Sequence, residues 1–212
     1  SITLISCKKD KLGYIAENGM VVSARIEASK IGVDILRKGG NAFDAMIATE
    51  LALAVSYPSA GNIGGGGFMV FRKNNGEIGA LDFREKAPLT ADENMYIDEN
   101  GNIIEKLSEE GALSCAVPGT IAGIFSVHER FGTLPISEIF RPAIELAENG
   151  IVITKKQSDR ISEFHNDFIR INSNEIIYNR TLKENDTLVN INLANTLKKI
   201  MKNGKDEFYN GE

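Results

Sequence analysis

Four consecutive glycines, Gly64 to Gly67, run without a break into Phe68-Met69-Val70-Phe71-Arg72, a stretch with the composition of a strand. Glycines at the mouth of a strand suit a place where backbone approaches backbone too closely for any Cβ. A phosphate-binding loop is a poor match. The P-loop needs Gly-Lys-Ser/Thr and then a helix, and the dinucleotide fingerprint needs its glycines between a strand and a helix. Here a strand follows at once. The run is therefore read as structural, entering a tightly packed layer close to where a substrate could lie.

Around that anchor the hydrophobic period alternates between helix and strand. Ile31, Ile35 and Leu36 set a helix over roughly 24–38 that stops at Gly39-Gly40. Asn41 caps a second, which carries Phe43, Met46, Ile47, Leu51 and Val55 until Pro58. A third opens at Pro118-Gly119-Thr120 and ends at Gly132. A fourth lies between Ser137 and Gly150, expected in two pieces because Pro142 suits a first turn better than an interior. Near the end, Leu193, Leu197, Ile200 and Met201 repeat at helical spacing, with Asn192 as the expected cap and Gly204 as the stop. Residues 170–190 are polar and Asn-rich and read as a surface excursion.

Between the second and third helices, Phe68–Arg72 and Ile78–Phe83 read as two strands joined through Asn75-Gly76. Asn-Gly favours a two-residue type I′ turn, which would pair Val70 with Leu81 and Phe68 with Phe83 and set Arg84 beside Gly67. The alternation puts Asp82 and Arg84 on one face, opposite Leu81 and Phe83. A guanidinium at a strand end, oriented by a carboxylate, can grip a substrate carboxylate through two parallel hydrogen bonds; the residues alone favour the plainer reading, a structural ion pair. The layout is α/β or α+β, with helices flanking at least one antiparallel pair.

Composition excludes other classes. Asp and Glu outnumber Lys and Arg by 29 to 24, so no basic stripe is available for a phosphate backbone and no nucleic-acid partner is expected. No apolar run reaches the roughly 18 residues of a membrane span. His128 and His165 have no partner at metal spacing, and no Gly-x-Ser-x-Gly elbow suggests a serine triad, so neither a metal nor a cofactor is expected. Cys7 and Cys115 could form one bridge or simply pack.

Eight stretches, in order, resemble one family. They are Gly39-Gly40-Asn41-Ala42-Phe43-Asp44-Ala45, Gly61-Asn62-Ile63-Gly64-Gly65-Gly66-Gly67-Phe68-Met69, Asp82-Phe83-Arg84-Glu85-Lys86-Ala87-Pro88 and Val117-Pro118-Gly119-Thr120-Ile121-Ala122-Gly123, followed by Phe131-Gly132-Thr133-Leu134-Pro135, Pro142-Ala143-Ile144-Glu145-Leu146-Ala147, Leu193-Ala194-Asn195-Thr196-Leu197 and Phe208-Tyr209-Asn210-Gly211. The chain resembles the N-terminal part of the large subunit of a bacterial γ-glutamyltranspeptidase.

That resemblance implies an N-terminal-nucleophile hydrolase fold, a four-layer αββα sandwich. Residues 1–212 would form a single incomplete domain of it, with no internal boundary. It implies a precursor that cuts itself into a large and a small subunit. The small subunit's new N-terminal threonine would attack the γ-glutamyl amide of glutathione or a related donor, with its own amine as base. Water, an amino acid or a peptide would accept the glutamyl group. Arg84 would hold the donor α-carboxylate, with Asp82 and Glu85 as its supports. Neither Ser1 nor an internal threonine such as Thr120 or Thr133 stands at the nucleophile's position. This chain is therefore expected to supply no catalytic residue, to be inactive alone, and to need the rest of the large subunit and the small subunit as partners. The family also implies a periplasmic or secreted location. Two other readings stay open: a related hydrolase acting on poly-γ-glutamate or an acyl β-lactam side chain, and a truncated non-catalytic module that only binds or assembles.

Overall fold

In the computed structural model, residues 13–172 and 176–211 are described. Cys7 and Ser1 fall outside them, and Cys115 is exposed with a free thiol. Helix α1 spans Ile26–Arg37 and α2 spans Ala42–Ser56, and α2 is the centre of the core: Ile47, Ala48, Leu51 and Ala52 are wholly buried. Its start is fixed by a full capping box. The Asn41 side-chain oxygen accepts from the N–H groups of Phe43 at 2.8 Å and Asp44 at 3.0 Å, while Asp44 accepts from the Asn41 N–H at 3.0 Å.

Strands β1 (Gly67–Arg72) and β2 (Ile78–Phe83) form the expected antiparallel hairpin, in a different register. Met69 faces Leu81, Phe68 faces Asp82 and Gly67 faces Phe83. The connection holds three residues, closed by Lys73 N–H to Glu77 O at 2.8 Å, with Gly76 at a φ of +88°. Such a loop is a turn followed by one left-handed residue, a place that glycine takes without strain. One extra loop residue shifts the pairing by one and turns the first strand over. Met69 and Phe71 therefore face inward with Leu81 and Phe83, while Phe68 and Val70 are 67% and 84% exposed. The inner face is held by a ring cluster. Phe43 stacks on Phe131 at 4.4 Å between centroids, and Phe71 meets both at 5.5 and 4.9 Å.

Helix α3 (Thr120–Phe131) matches its expected bounds, and α4 (Ile136–Asn149) corrects one expectation. It is continuous through Pro142. Proline inside a helix costs about 3 kcal/mol, but Ile139, Phe140, Ala143, Ile144 and Ala147 on one face are all buried. Burying large apolar side chains contributes about 1.5–3 kcal/mol each, so the continuous helix wins. Helices α5 (Lys155–Glu163) and α6 (His165–Ile171) were not read from the periodicity. The signal for α5 was present in Thr154 and Gln157, which make its capping box.

The polar region 170–190 is only partly a surface excursion, because Leu182 and Leu188 are buried. Its short strand β4 (Thr187–Leu188) pairs with β3 (Ile151–Val152), an arrangement that needs residues far apart in sequence. Helix α7 (Ile191–Asn203) is capped by Asn190, which accepts from the Leu193 N–H at 3.1 Å, rather than by Asn192. It ends at Gly204, and α8 (Lys205–Asn210) follows. No helix of the described residues is long and apolar enough to cross a membrane.

Glu50 gives the core a pH dependence. It sits on α2 in a groove lined by Met20, Val22, Met46 and Leu53, and no hydrogen-bonding or ionic partner is found among the described residues. Burial pushes its carboxyl above the ordinary value of 4.5. The folded state then keeps the proton to a higher pH than the unfolded chain, so stability falls as pH rises from the unfolded value through the folded one. Glu50→Gln removes that titration. Thermal melts should show the variant more stable than wild type at pH 7.5, with the gap narrowing towards pH 4.5. An equal gap at both pH values would mean that charge burial is not the cause.

Candidate functional site

The segment that follows β2, Phe83-Arg84-Glu85-Lys86, is clamped on both sides by backbone. On one side is the glycine run. A Cβ at Gly66 would come within 2.6 Å of the Phe83 carbonyl oxygen and 2.8 Å of the Glu85 nitrogen. On the other side is the start of α3. A Cβ at Gly119 would lie 1.9 Å from the Phe83 oxygen and 3.0 Å from the Arg84 oxygen, and one at Gly123 would lie 2.4 Å from the Phe83 ring. Real Cβ atoms do not approach so closely, so only glycine fits here. The close approach expected of Gly64–Gly67 is thus met at Gly66, and its object is the segment that carries Arg84.

Hydrogen bonds lock the clamp. The N–H groups of Gly119 and Thr120 both donate to the Gly65 carbonyl, at 2.8 and 3.0 Å. Lys86 and Val117 exchange two backbone bonds, at 3.1 and 2.8 Å, closing the base of the 87–116 excursion. The far end of that excursion is tied to α6, where Arg170 grips Glu110 through two nitrogens at 2.6 and 2.9 Å. Those bonds hold the Glu110 carboxyl below its usual range.

Arg84 itself is exposed, and its guanidinium has no hydrogen-bond or ionic partner among the described residues. The ordinary ion pair with Asp82 does not form. The Asp82 carboxylate accepts instead from the Arg84 backbone N–H at 2.9 Å, so it fixes the main chain and leaves the side chain free. Asp82 projects from the outer face, opposite Phe68. Arg84 lies beyond the last paired residue, since Gly67 faces Phe83. Glu85 turns back over the glycines, with an oxygen 2.9 Å from where a Gly66 Cβ would be.

Arg84 lines an open cleft of about 620 Å³ together with Glu85, Lys86, Pro118, Ser126 and Tyr209. A larger cavity of about 770 Å³ lies between Tyr57, Thr154, Arg160 and Tyr178 and contains none of the sequence candidates. The most buried charged residue lining that cavity is Arg25, already engaged by Glu27, Gln157 and the Val152 carbonyl. The Arg84 cleft is therefore the better candidate: a guanidinium unpaired among the described residues, on closely packed backbone, suits a small carboxylate ligand.

The two threonines weighed from the sequence are occupied structurally. Thr120 is buried at the start of α3, and the Thr133 hydroxyl donates to Asp44 at 2.5 Å. The His128 ring bonds the Leu134 carbonyl at 2.8 Å. Among the described residues no three His, Cys, Asp or Glu side chains converge on a metal position. Tyr209 belongs to the Phe208-Tyr209-Asn210-Gly211 stretch, to which the sequence assigns no role. It reaches the cleft only through the fold, and no local signal marks it.

Residues 28–212 match the family described as Gamma-glutamyltranspeptidase. The glutathione hydrolase proenzyme of Pseudomonas sp. (strain A14) is 47% identical over 201 residues, covering 93% of this chain and 35% of that protein. The crystal structure of Helicobacter pylori gamma-glutamyltranspeptidase superposes with a TM-score of 0.88 at 43% identity, covering 94% of this chain and 58% of that one. Cephalosporin acylase from Bacillus halodurans gives a TM-score of 0.79 at 22% identity over 99% of this chain and 41% of that one, a likeness of fold alone. The chain spans about a third of the length of the curated relatives it matches.

Proposed function

The chain belongs to the γ-glutamyltranspeptidase family, and from that premise and the placement of Arg84 we propose that it is an N-terminal portion of the large subunit of an enzyme that cleaves γ-glutamyl amides. Its α+β fold is that of the N-terminal-nucleophile hydrolases among its structural neighbours. Glutathione is the proposed donor. Water, an amino acid or a peptide takes the glutamyl group from a covalent glutamyl-enzyme intermediate.

In this reading the chain contributes recognition rather than bond-breaking. Arg84 holds the donor α-carboxylate, which leaves the γ-amide to a nucleophilic threonine on the small subunit. Asp82 fixes the Arg84 main chain through its N–H, and Glu85, beside the glycine run, is the second proposed support. The observation that carries the reading is the free guanidinium on a closely packed segment: arginine is an always-charged fork, and among the described residues no carboxylate pairs with it. The rest of the large subunit and the small subunit are the proposed partners. Phe68, Val70 and Ile78 on the bare outer face of the hairpin are apolar enough to pack against further chain. A periplasmic or secreted location goes with the family reading.

A free α-carboxylate is what Arg84 would recognise, which argues against an acyl β-lactam donor lacking one. The test is release of p-nitroaniline from γ-glutamyl-p-nitroanilide by the full-length gene product. Turnover is expected. Correctly processed protein that releases nothing would move the reading to another donor of the superfamily, such as the end of a poly-γ-glutamate chain.

A further inference from the structure

On the premise that Arg84 holds the donor α-carboxylate, we infer that Tyr209 is a positioning residue for it, acting through the Pro118–Gly119 turn. The hydroxyl of Tyr209 donates to the Pro118 carbonyl at 2.9 Å and accepts from the Ala122 N–H at 3.2 Å. It thus satisfies one of the open N–H groups in the first turn of α3 and pins the residue just before the turn. Gly119 is in that turn, and its α-carbon is pressed against the Phe83 and Arg84 carbonyls so tightly that no Cβ could fit. The turn is the wall behind the Arg84 segment, and α8 holds that wall in place. Tyr209 is half-buried and lines the same cleft as Arg84.

The hydroxyl makes two hydrogen bonds to main chain, while the ring packs against Phe208 with centroids 5.1 Å apart. Tyr209→Phe therefore removes the pin and keeps the packing. Loosening the turn lets the Phe83–Lys86 segment drift and widens the range of guanidinium positions. Donor binding should weaken while the chemistry, supplied elsewhere, is unchanged.

The test uses the full-length enzyme as wild type, Tyr209→Phe, Arg84→Ala and the double variant, with γ-glutamyl-p-nitroanilide as donor. Tyr209→Phe is expected to raise the donor KM by about threefold to tenfold, the loss expected for hydrogen bonds of ordinary strength, with kcat within about twofold. In the Arg84→Ala background the same substitution should leave KM unmoved, because a residue that acts through Arg84 has nothing left to act on. Gly119→Ala, which forces the Phe83 carbonyl to move, should raise KM by more than Tyr209→Phe does and also lower the melting temperature. An equal rise in both backgrounds, or a lower melting temperature with KM unchanged in both Tyr209→Phe and Gly119→Ala, overturns the role of Tyr209. If Arg84→Ala itself leaves KM unchanged, the reading of Arg84 fails first.

Discussion

Arg84→Ala is expected to lower kcat/KM for a γ-glutamyl donor by at least tenfold in the full-length enzyme. Arg84 is exposed in this chain, and once the donor and the rest of the enzyme close over the pair, truncating one side of it costs about 2–5 kcal/mol, or about thirtyfold or more in kcat/KM. The structure makes the loss hard to absorb. The segment is packed against Gly66 and Gly119 and tied by the Lys86–Val117 bridge, so its backbone cannot readily shift to bring another group into the vacated position. Lys86 lines the same cleft, but its ammonium is a point charge without the planar fork that grips a carboxylate through two parallel bonds. Arg84→Lys keeps the charge and loses the planar fork, and should recover only part of the activity. The check is steady-state kinetics across a range of donor concentrations. Unchanged kinetics in Arg84→Ala would leave the family membership intact and remove Arg84 from the site.

Asp44→Ala is expected to destabilise the fold by about 3 kcal/mol or more, the range for a buried charged acceptor whose donors are left unpaired. Asp44 is fully buried and joins two elements 89 residues apart in sequence. Its carboxylate accepts from the Asn41 N–H at 3.0 Å and from the Thr133 N–H at 3.1 Å, besides the Thr133 hydroxyl. Removing it opens the cap of α2 and frees the turn between α3 and α4 together. That turn follows Phe131, whose ring holds Phe43 and Phe71, so the hairpin beneath the site should loosen too. Asp44→Asn retains one acceptor oxygen and should cost less. Urea unfolding midpoints of the two variants against wild type measure both losses. A change below about 1 kcal/mol for the alanine variant would show that the Asn41 cap suffices alone.

The helices were largely legible because their signals are local. The Asn41 cap, the stop at Gly132 and the α3 period depend on residues within one or two turns, and those bounds agree with the structure. The glycine run was legible as a close approach, although what approaches it was not. Misreadings arose where a choice depended on distant contacts. Pro142 reads as a break until the buried face of α4 is seen to outweigh it. Asn75-Gly76 reads as a two-residue turn until the inner face, packed on Phe43 and Phe131, selects a three-residue loop.

The family and the candidacy of Arg84 came from the order of motifs along the sequence. Helix position came from periodicity, because helical hydrogen bonds join residues four apart. Only the tertiary structure decided the strand register, which turned Phe68 and Val70 outward and left Arg84 past the last pair. It also decided that Asp82 serves the backbone rather than the guanidinium, and that Tyr209 stands behind the Arg84 segment. Apart from the Asp82 bond, which is local, these outcomes rest on steric exclusion between Gly66, Gly119 and Phe83, and on hydrogen bonds that span up to 91 residues. Such contacts exist only after the chain has packed, so no window of sequence contains them.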